Sequence, residues 1–294
     1  MSKLREALEA GAFPLVAAIE PPKGVAREGW LDPVRALAGK VTAFGVPDNA
    51  EARMGLSALA AAVLVKEAGG EPLLHLSCRD RNRLALESDL LGAGVLGLEN
   101  ILAVSGDYVT LGDHPQAKAV YDADSVQLLQ IAQGLMAGYD SAGLPLEGTP
   151  NFYLGAVFIP EADPLGPQLL KIRKKVAAGA QFFITAPIFE VEKFRSFRES
   201  LGNQPVKILA CVKVAGPEEV AQADKGQHRR VYSLPGAVLQ ALTGKDPEEM
   251  LQQGAARAGK LLKQIRAEGL ADGAYVQARG RSDLLARVLE SAAG

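Results

Sequence analysis

The sequence predicts an α/β chain folded as a single (β/α)8 TIM barrel over residues 1–294. Three observations point there. Eight short apolar runs, most bounded by Gly, Pro or charged residues, alternate with longer stretches of helical periodicity from end to end. The runs are hydrophobic without polar alternation, as parallel strands covered on both faces should be. The length, 294 residues, is near that of one α/β barrel, about 250 residues in typical cases.

The candidate strands are 15–19, 40–45, 72–77, 100–104, 152–158, 181–185, 206–212 and 273–277. Helices are expected between them. Asp124 reads as an N-cap, followed by Leu128, Leu129, Ala132, Leu135 and Met136 on one inward face. Asp163 before Pro164 reads as a cap and first-turn proline, with Leu165, Leu169, Ile172 and Val176 recurring at i, i+4, i+7 and i+11. Asp246-Pro247-Glu248-Glu249 resembles a capping box and opens a helix to about residue 267. A doubly wound sheet is the competing architecture, but no candidate strand leads into a GxGxxG or Walker A loop. Neither repeats nor low-complexity linkers divide the chain.

Composition narrows the chemistry. Hydrophobic residues at 48% and charged residues at 22% supply a large core and exclude a disordered chain. With net charge −2 and no Lys/Arg block, neither nucleic acid nor an anionic membrane is an expected partner. Cys78 and Cys211 are far apart in apolar runs and read as reduced core residues. Zinc or an iron–sulfur cluster on this chain is not expected, and the three histidines give a metal site little support. The N-terminus lacks a signal-peptide pattern, and no segment approaches the roughly 20 apolar residues of a membrane span. The expected location is cytoplasmic.

In such barrels ligands meet the C-terminal strand ends. Glu20, in Ile19-Glu20-Pro21-Pro22-Lys23, reads either as a desolvated general acid stiffened by two prolines or as a solvated, ion-paired strand-end glutamate. Ser105-Gly106-Asp107 ends the fourth strand. Gly106 would admit close ligand approach, and Asp107 is either a ligand contact or a cap. No helical pattern intervenes before Asp124, and this long connection carries Tyr108, His114 and Tyr121, as an ordered cover over a ligand would. His75 reads as a ligand contact or a satisfied core histidine. Lys171, Lys174 and Lys175 read as a solvated face from which one could reach a pyrophosphate. The charged stretch 225–230 reads as a solvated loop.

Taken in order, these strand ends resemble the methylenetetrahydrofolate reductase family over most of the chain. The matching features are Glu20-Pro21-Pro22-Lys23, Val41-Thr42, Leu74-His75-Leu76-Ser77-Cys78, Asn100 through Asp107, Tyr121-Asp122-Ala123-Asp124, Lys174-Lys175-Val176, and Tyr275 with Arg279. The resemblance implies non-covalent FAD, with FMN as the alternative, held by Thr42, His75, Ser105, Gly106, Asp107, Tyr121, Asp122, Asp124, Lys174 and Lys175. It implies reduction of 5,10-methylenetetrahydrofolate to 5-methyltetrahydrofolate, in one-carbon metabolism and methionine biosynthesis. Glu20 would be the general acid toward N10, Asp107 would bind the pterin, and Arg279 would join them in binding substrate. Hydride would come from reduced flavin.

The chain departs from the family pattern at three places. Ala186 follows Thr185 where the family has glutamine, Ser105 replaces an arginine, and Ile159 and Asp163 replace an aromatic residue and a histidine. Ala186 removes a side chain that contacts folate and nicotinamide. The electrons are therefore expected from NADH or NADPH, or from a partner subunit such as the iron–sulfur or zinc subunits of members from anaerobes. A homo- or hetero-oligomer is compatible with either donor. Two further readings stand beside this one: a folate- or flavin-binding subunit without turnover of its own, and a pterin-using barrel without flavin, by analogy of fold alone.

Overall fold

The computed structural model describes residues 1–26, 28–202, 204–224 and 234–293, so the 225–230 stretch lies outside the described residues. Its strands are β1 (Leu15–Ala18), β2 (Ala43–Val46), β3 (Pro72–Ser77), β4 (Asn100–Val104), β5 (Tyr153–Phe158), β6 (Phe182–Thr185), β7 (Lys207–Lys213) and β8 (Gly273–Gln277). They pair in parallel in chain order, and β8 pairs with β1 to close the barrel. Helix α1 (Lys3–Glu9) precedes β1. Then α2 (Asp32–Leu37), α3 (Ala58–Glu67), α4 (Arg83–Val95), α5 (Ser125–Met136), α6 (Gly166–Ala177) and α7 (Val191–Leu201) follow the first six strands in turn. Among the described residues three helices, α8 (Pro217–Asp224), α9 (Gly236–Leu242) and α10 (Pro247–Ala267), lie between β7 and β8, and α11 (Ser282–Ala293) follows β8. Among the described residues no helix is long and apolar enough to cross a membrane.

Two apolar layers hold the barrel. The outer one packs outward strand residues such as Phe44, Leu74 and Ile208 against helix residues such as Val65, Leu128 and Leu262. The inner one fills the lumen with Val16, Leu73, Leu102, Tyr153, Phe182, Leu209 and Tyr275. Leu4 and Leu8 of α1 belong to that inner layer, so α1 plugs the N-terminal end. Glu71 seats the plug by accepting the Lys3 and Leu4 N–H groups at 2.6 and 2.8 Å, the orphan donors of a helix start. Inside, the Tyr153 and Phe182 rings stack with centroids 4.9 Å apart. Gly155 makes room for that stack, because a Cβ there would lie 2.2 Å from the Phe182 ring.

β3, β4 and β8 coincide with the expected runs, and the other strands differ by a few residues at their ends. β2 starts at Ala43 rather than at 40 because Lys40 and Val41 still donate to the Leu37 carbonyl in the turn that ends α2. The expected caps of α5 and α10 are present. Asp124 accepts from Val126 and Gln127 N–H in a full capping box, and Asp246 accepts from Glu248 and Glu249 N–H. The expected cap of α6 is a correction. α6 starts at Gly166 with Leu165 as N-cap and Pro167 in its first turn, so Asp163 precedes the helix and does not cap it. Both cysteines are buried and free, with thiols pushed up to about 12 by burial, which leaves them inert.

Gly155→Ala should overpack the lumen and cost about 1–3 kcal/mol, a Tm loss on the order of 2–10 °C. Gly166→Ala, where a Cβ meets nothing within 4 Å, should stay within about 0.5 kcal/mol. Thermal denaturation of both variants checks the pair.

Candidate active site

The C-terminal strand ends carry two buried ion networks with a loop between them. The first is built on Ser77-Cys78-Arg79-Asp80-Arg81 after β3. Arg79 is 2% exposed. Its Nε and Nη2 donate to the two Asp80 carboxylate oxygens, each at 2.7 Å. Its Nη1 donates to the Asp107 carbonyl and its Nη2 to the Asn49 carbonyl, both at 3.2 Å. Below it, buried Asp48 accepts the Ser77 N–H at 2.8 Å and Arg81 Nη1 at 2.6 Å, and Arg81 also pairs with Asp89.

The second network lies after β7 and β8. Buried Glu219 pairs with Lys213 at 3.2 Å and with Arg279, and accepts the Gly216 N–H. Desolvation pushes its carboxyl up, but Lys213, Arg279 and that N–H together bring it below the ordinary glutamate value. Arg279 also reaches Glu218 at 3.2 Å.

The loop after β2 runs between the networks. Asn49, Glu51 and Ala52 all hold left-handed backbone, with φ of 46°, 56° and 57°. Such strain in non-glycine residues persists only where neighbours impose it, and it gathers at functional sites. Here the Glu51 N–H donates to Asp107 Oδ2 at 3.0 Å while its carboxylate lies 3.5 Å from Lys213. The long connection after β4 packs on this loop: a Cβ on Gly112 would collide with the Ala52 carbonyl. It contains one 3-10 turn, Val109–Leu111. Asp113 fastens it by accepting from Lys23 at 2.6 Å, His114 at 2.8 Å and the Met54 N–H at 3.0 Å. Lys23 above all, with the other two, holds the Asp113 carboxyl well below the usual range.

The Tyr275 hydroxyl lies 3.3 Å from His75 Nε2, in the lumen. Burial pushes the His75 imidazole down to about 3 and the Tyr275 phenol up, so both are neutral. Gly45 lets the Tyr275 ring in, since a Cβ would lie 2.4 Å from it. His75 is thus a partnered lumen residue under the mouth.

The expected site residues fall into three groups. Glu20 and Asp107 follow β1 and β4, at the same end of the barrel. Of the two settings expected for Glu20 the structure has the solvated one: the residue is exposed, and its carbonyl accepts from Trp30 Nε1 at 2.7 Å. Ser105, Asp107, Tyr121, Asp122, Asp124 and Lys174 are also exposed. Several are partly committed. Ser105 Oγ meets Ser125 Oγ at 3.2 Å, Asp122 accepts the Arg83 N–H at 3.0 Å, and the Tyr121 hydroxyl donates to the Gly106 and Asp107 carbonyls. Gly106, at φ 91°, is pressed so closely that a Cβ would lie 2.4 Å from Ser77 Oγ and 2.7 Å from Arg79 Cβ.

Three expectations are corrected. Thr42 lies one residue before β2, at the N-terminal end of the barrel opposite the mouth, so it cannot hold a ligand at the strand ends. Lys175 points inward, is buried, and donates to the Val157 carbonyl at 2.6 Å; desolvation pushes it down to about 8. It is not part of a solvated phosphate-binding face. Arg279 is held by Glu218 and Glu219 rather than presented free to substrate. The sequence reading gave Asp48 no role beyond its place after the second strand, and it missed Glu51, Arg79, Asp80, Arg81, Lys213 and Glu219. The Arg79-Asp80-Arg81 triplet directly after an apolar strand was a usable signal. Glu51 and Glu219 lie in loop and helix contexts that carried none.

A closed parallel barrel whose strand ends gather carboxylates, buried ion pairs and a folded-over loop belongs to the class of barrel proteins with a ligand site at the C-terminal mouth. The model of the methylenetetrahydrofolate reductase family matches residues 3–293, and the chain belongs to that family. It is 25% identical over 254 residues to a probable methylenetetrahydrofolate reductase (NADPH) of Caenorhabditis elegans, covering 83% of this chain and 35% of the relative. It is 25% identical over 206 residues to the 5,10-methylenetetrahydrofolate reductase of Escherichia coli, covering 69% of this chain and 64% of the relative. The chain thus spans about a third of the worm protein and just under two thirds of the bacterial one. An uncharacterized protein from Clostridium thermocellum, described as binding two copies of 5-methyl-5,6,7,8-tetrahydrofolic acid, shares the fold at TM-score 0.65 and 14% identity, covering 99% of this chain and 98% of that one.

The low His75 value has a pH consequence. An unfolded histidine takes up a proton below about 6.5, and the folded one does so only near 3. Between those values the unfolded state binds more protons, so stability falls as pH falls. From about pH 7 to about pH 5 the loss attributable to His75 should be about 1–2 kcal/mol. Denaturant unfolding of His75→Gln should show a shallower pH dependence by that amount; equal slopes in both proteins would refute the assignment.

Proposed function

We propose that this chain reduces 5,10-methylenetetrahydrofolate to 5-methyltetrahydrofolate with a flavin, FAD or FMN, bound at the barrel mouth. The observation that carries this reading is that Glu20 and Asp107, far apart in sequence, stand after β1 and β4 at one end of the barrel, in a chain of this family. The binding of 5-methyl-5,6,7,8-tetrahydrofolic acid described for the Clostridium thermocellum protein supports a folate ligand.

The residues on the β4 side fit a flavin. Ser105 and Tyr121 offer exposed hydroxyl and phenol groups there, and exposed Lys174 of α6 would be the cation for a phosphate. A bound flavin supplies the hydride for the one-carbon bridge. Glu20 gives the proton to N10 of the folate as that bond opens, and its exposed position lets it regain a proton from solvent. Asp107 orients the pterin and stabilises the positive charge that develops on it.

A second reading follows from Ala186. It is buried after β6, its N–H donates to the Phe158 carbonyl at 2.7 Å, and it has no side-chain donor for nicotinamide. On that reading the chain takes its electrons from a partner protein rather than from NADH or NADPH.

The purified protein should be yellow, and its dithionite-reduced form should be reoxidised by methylenetetrahydrofolate. Glu20→Gln should slow that reoxidation about 10²–10⁴-fold while leaving flavin bound. A variant that keeps the full rate removes Glu20 from its role. Adding NADH or NADPH separates the donors: bleaching of the flavin band supports direct reduction, and bleaching by dithionite alone supports a protein donor.

A further inference from the structure

We propose that Arg79 is the positioning residue of this site, latching the loop after β2 and the connection after β4 together so that Asp107 faces the pterin. The catalytic half of this statement rests on the function proposed above; the latch itself does not.

The geometry is specific. One guanidinium, 2% exposed, is braced by both oxygens of its neighbour Asp80 and spends its other donor contacts on two further segments, at the Asn49 carbonyl and the Asp107 carbonyl. The backbone of the same residue adds a third tie, because the Arg79 carbonyl accepts the Val120 N–H at 2.7 Å near the far end of the connection. Arg79 therefore holds both the start and the finish of the connection after β4. Asp80 extends the grip, accepting Asn49 Nδ2 at 3.2 Å.

What Arg79 holds is strained or tightly fitted. Asn49 and Tyr121 are both left-handed, at φ 46° and 44°. Gly106 lies against the Arg79 Cβ with no room for a side chain. The Tyr121 hydroxyl donates to the same Asp107 carbonyl from another direction. With its carbonyl held by two donors and its Oδ2 held by the Glu51 N–H, Asp107 has a fixed orientation although it is exposed. An apolar side chain would fill the space around Arg79 at lower desolvation cost. It would not orient two carbonyls, and a shorter point-charge lysine reaches fewer acceptors than the planar fork.

The experiment compares Arg79→Met, Arg79→Lys and Asp80→Asn by hydrogen exchange and by reoxidation of the dithionite-reduced protein with methylenetetrahydrofolate. Arg195→Met, which breaks an outer-helix pair with Glu268, is the control. In Arg79→Met, amides of 49–54 and 108–121 should exchange at least about ten-fold faster, with β5 and β6 unchanged. The rate at saturating folate should fall about 100-fold, as a misplacement near 1 Å produces. Arg79→Lys should regain part of both, and the control should change neither. If Arg79→Met does not fold, Asp80→Asn decides, since Asp80 is partly exposed and its loss slackens the fork without emptying the site. Unchanged exchange of 108–121 in a folded variant overturns the latch. Faster exchange in a protein whose wild type does not reduce folate leaves the latch standing and overturns the proposed function instead.

Discussion

The pairing of β8 with β1 is the constraint on which the rest of the molecule depends. Leu15, Val16 and Ala17 lie in register with Ala274, Tyr275 and Val276, and this short seam turns eight parallel strands into a ring. A ring of parallel strands has two unlike ends. One collects every N-terminus, the other every C-terminus. The N-terminal end is shut by the apolar face of α1, seated on Glu71. The lumen is filled to the height of His75 and Tyr275. Segments far apart in the chain meet at the C-terminal end.

At that end the energetics change in kind. Below the mouth the barrel is held by close apolar packing, where Gly155 and Gly45 matter because Phe182 and Tyr275 fill the space a side chain would need. At the mouth, cohesion comes from buried charges with several partners each. Arg79, Asp48 and Glu219 are all nearly inaccessible to water, and each is surrounded by donors or acceptors of the right sign. Buried ion pairs are a poor source of stability compared with apolar packing. Their strength is direction, because breaking one partner leaves an uncompensated charge. The mouth therefore holds strained turns at Asn49, Glu51, Ala52 and Tyr121 in place. Asp107, although exposed, is tied to this frame through its carbonyl and its carboxylate.

The fold was largely legible in the order of residues. Apolar runs bounded by Gly and Pro marked the strands, and Asp124 and Asp246 announced their helices by local capping chemistry that needs no distant partner. The same logic failed at Asp163, where a local cap signal was present but the helix began later. The site was legible in outline only. Motif order located the strand ends after β1 and β4. It placed Thr42 in the site, whereas the α2 turn consumes residues up to Val41 and leaves Thr42 below the strand. It read Lys175 as solvated because sequence does not say which face of α6 meets β5.

Alternation of apolar runs with helical periods, turn chemistry and first-turn caps determined from sequence alone that this chain is an α/β barrel. These signals act over a few residues or repeat along the chain. Which polar groups pair across the mouth was decided only by the closed tertiary structure. Arg79 meets Asn49 and Asp107 across separations of 30 and 28 residues, and Tyr275 meets His75 across 200. The first two follow from the pairing of β3 with β2 and β4, and the last crosses the lumen of the closed ring; no local pattern encodes them.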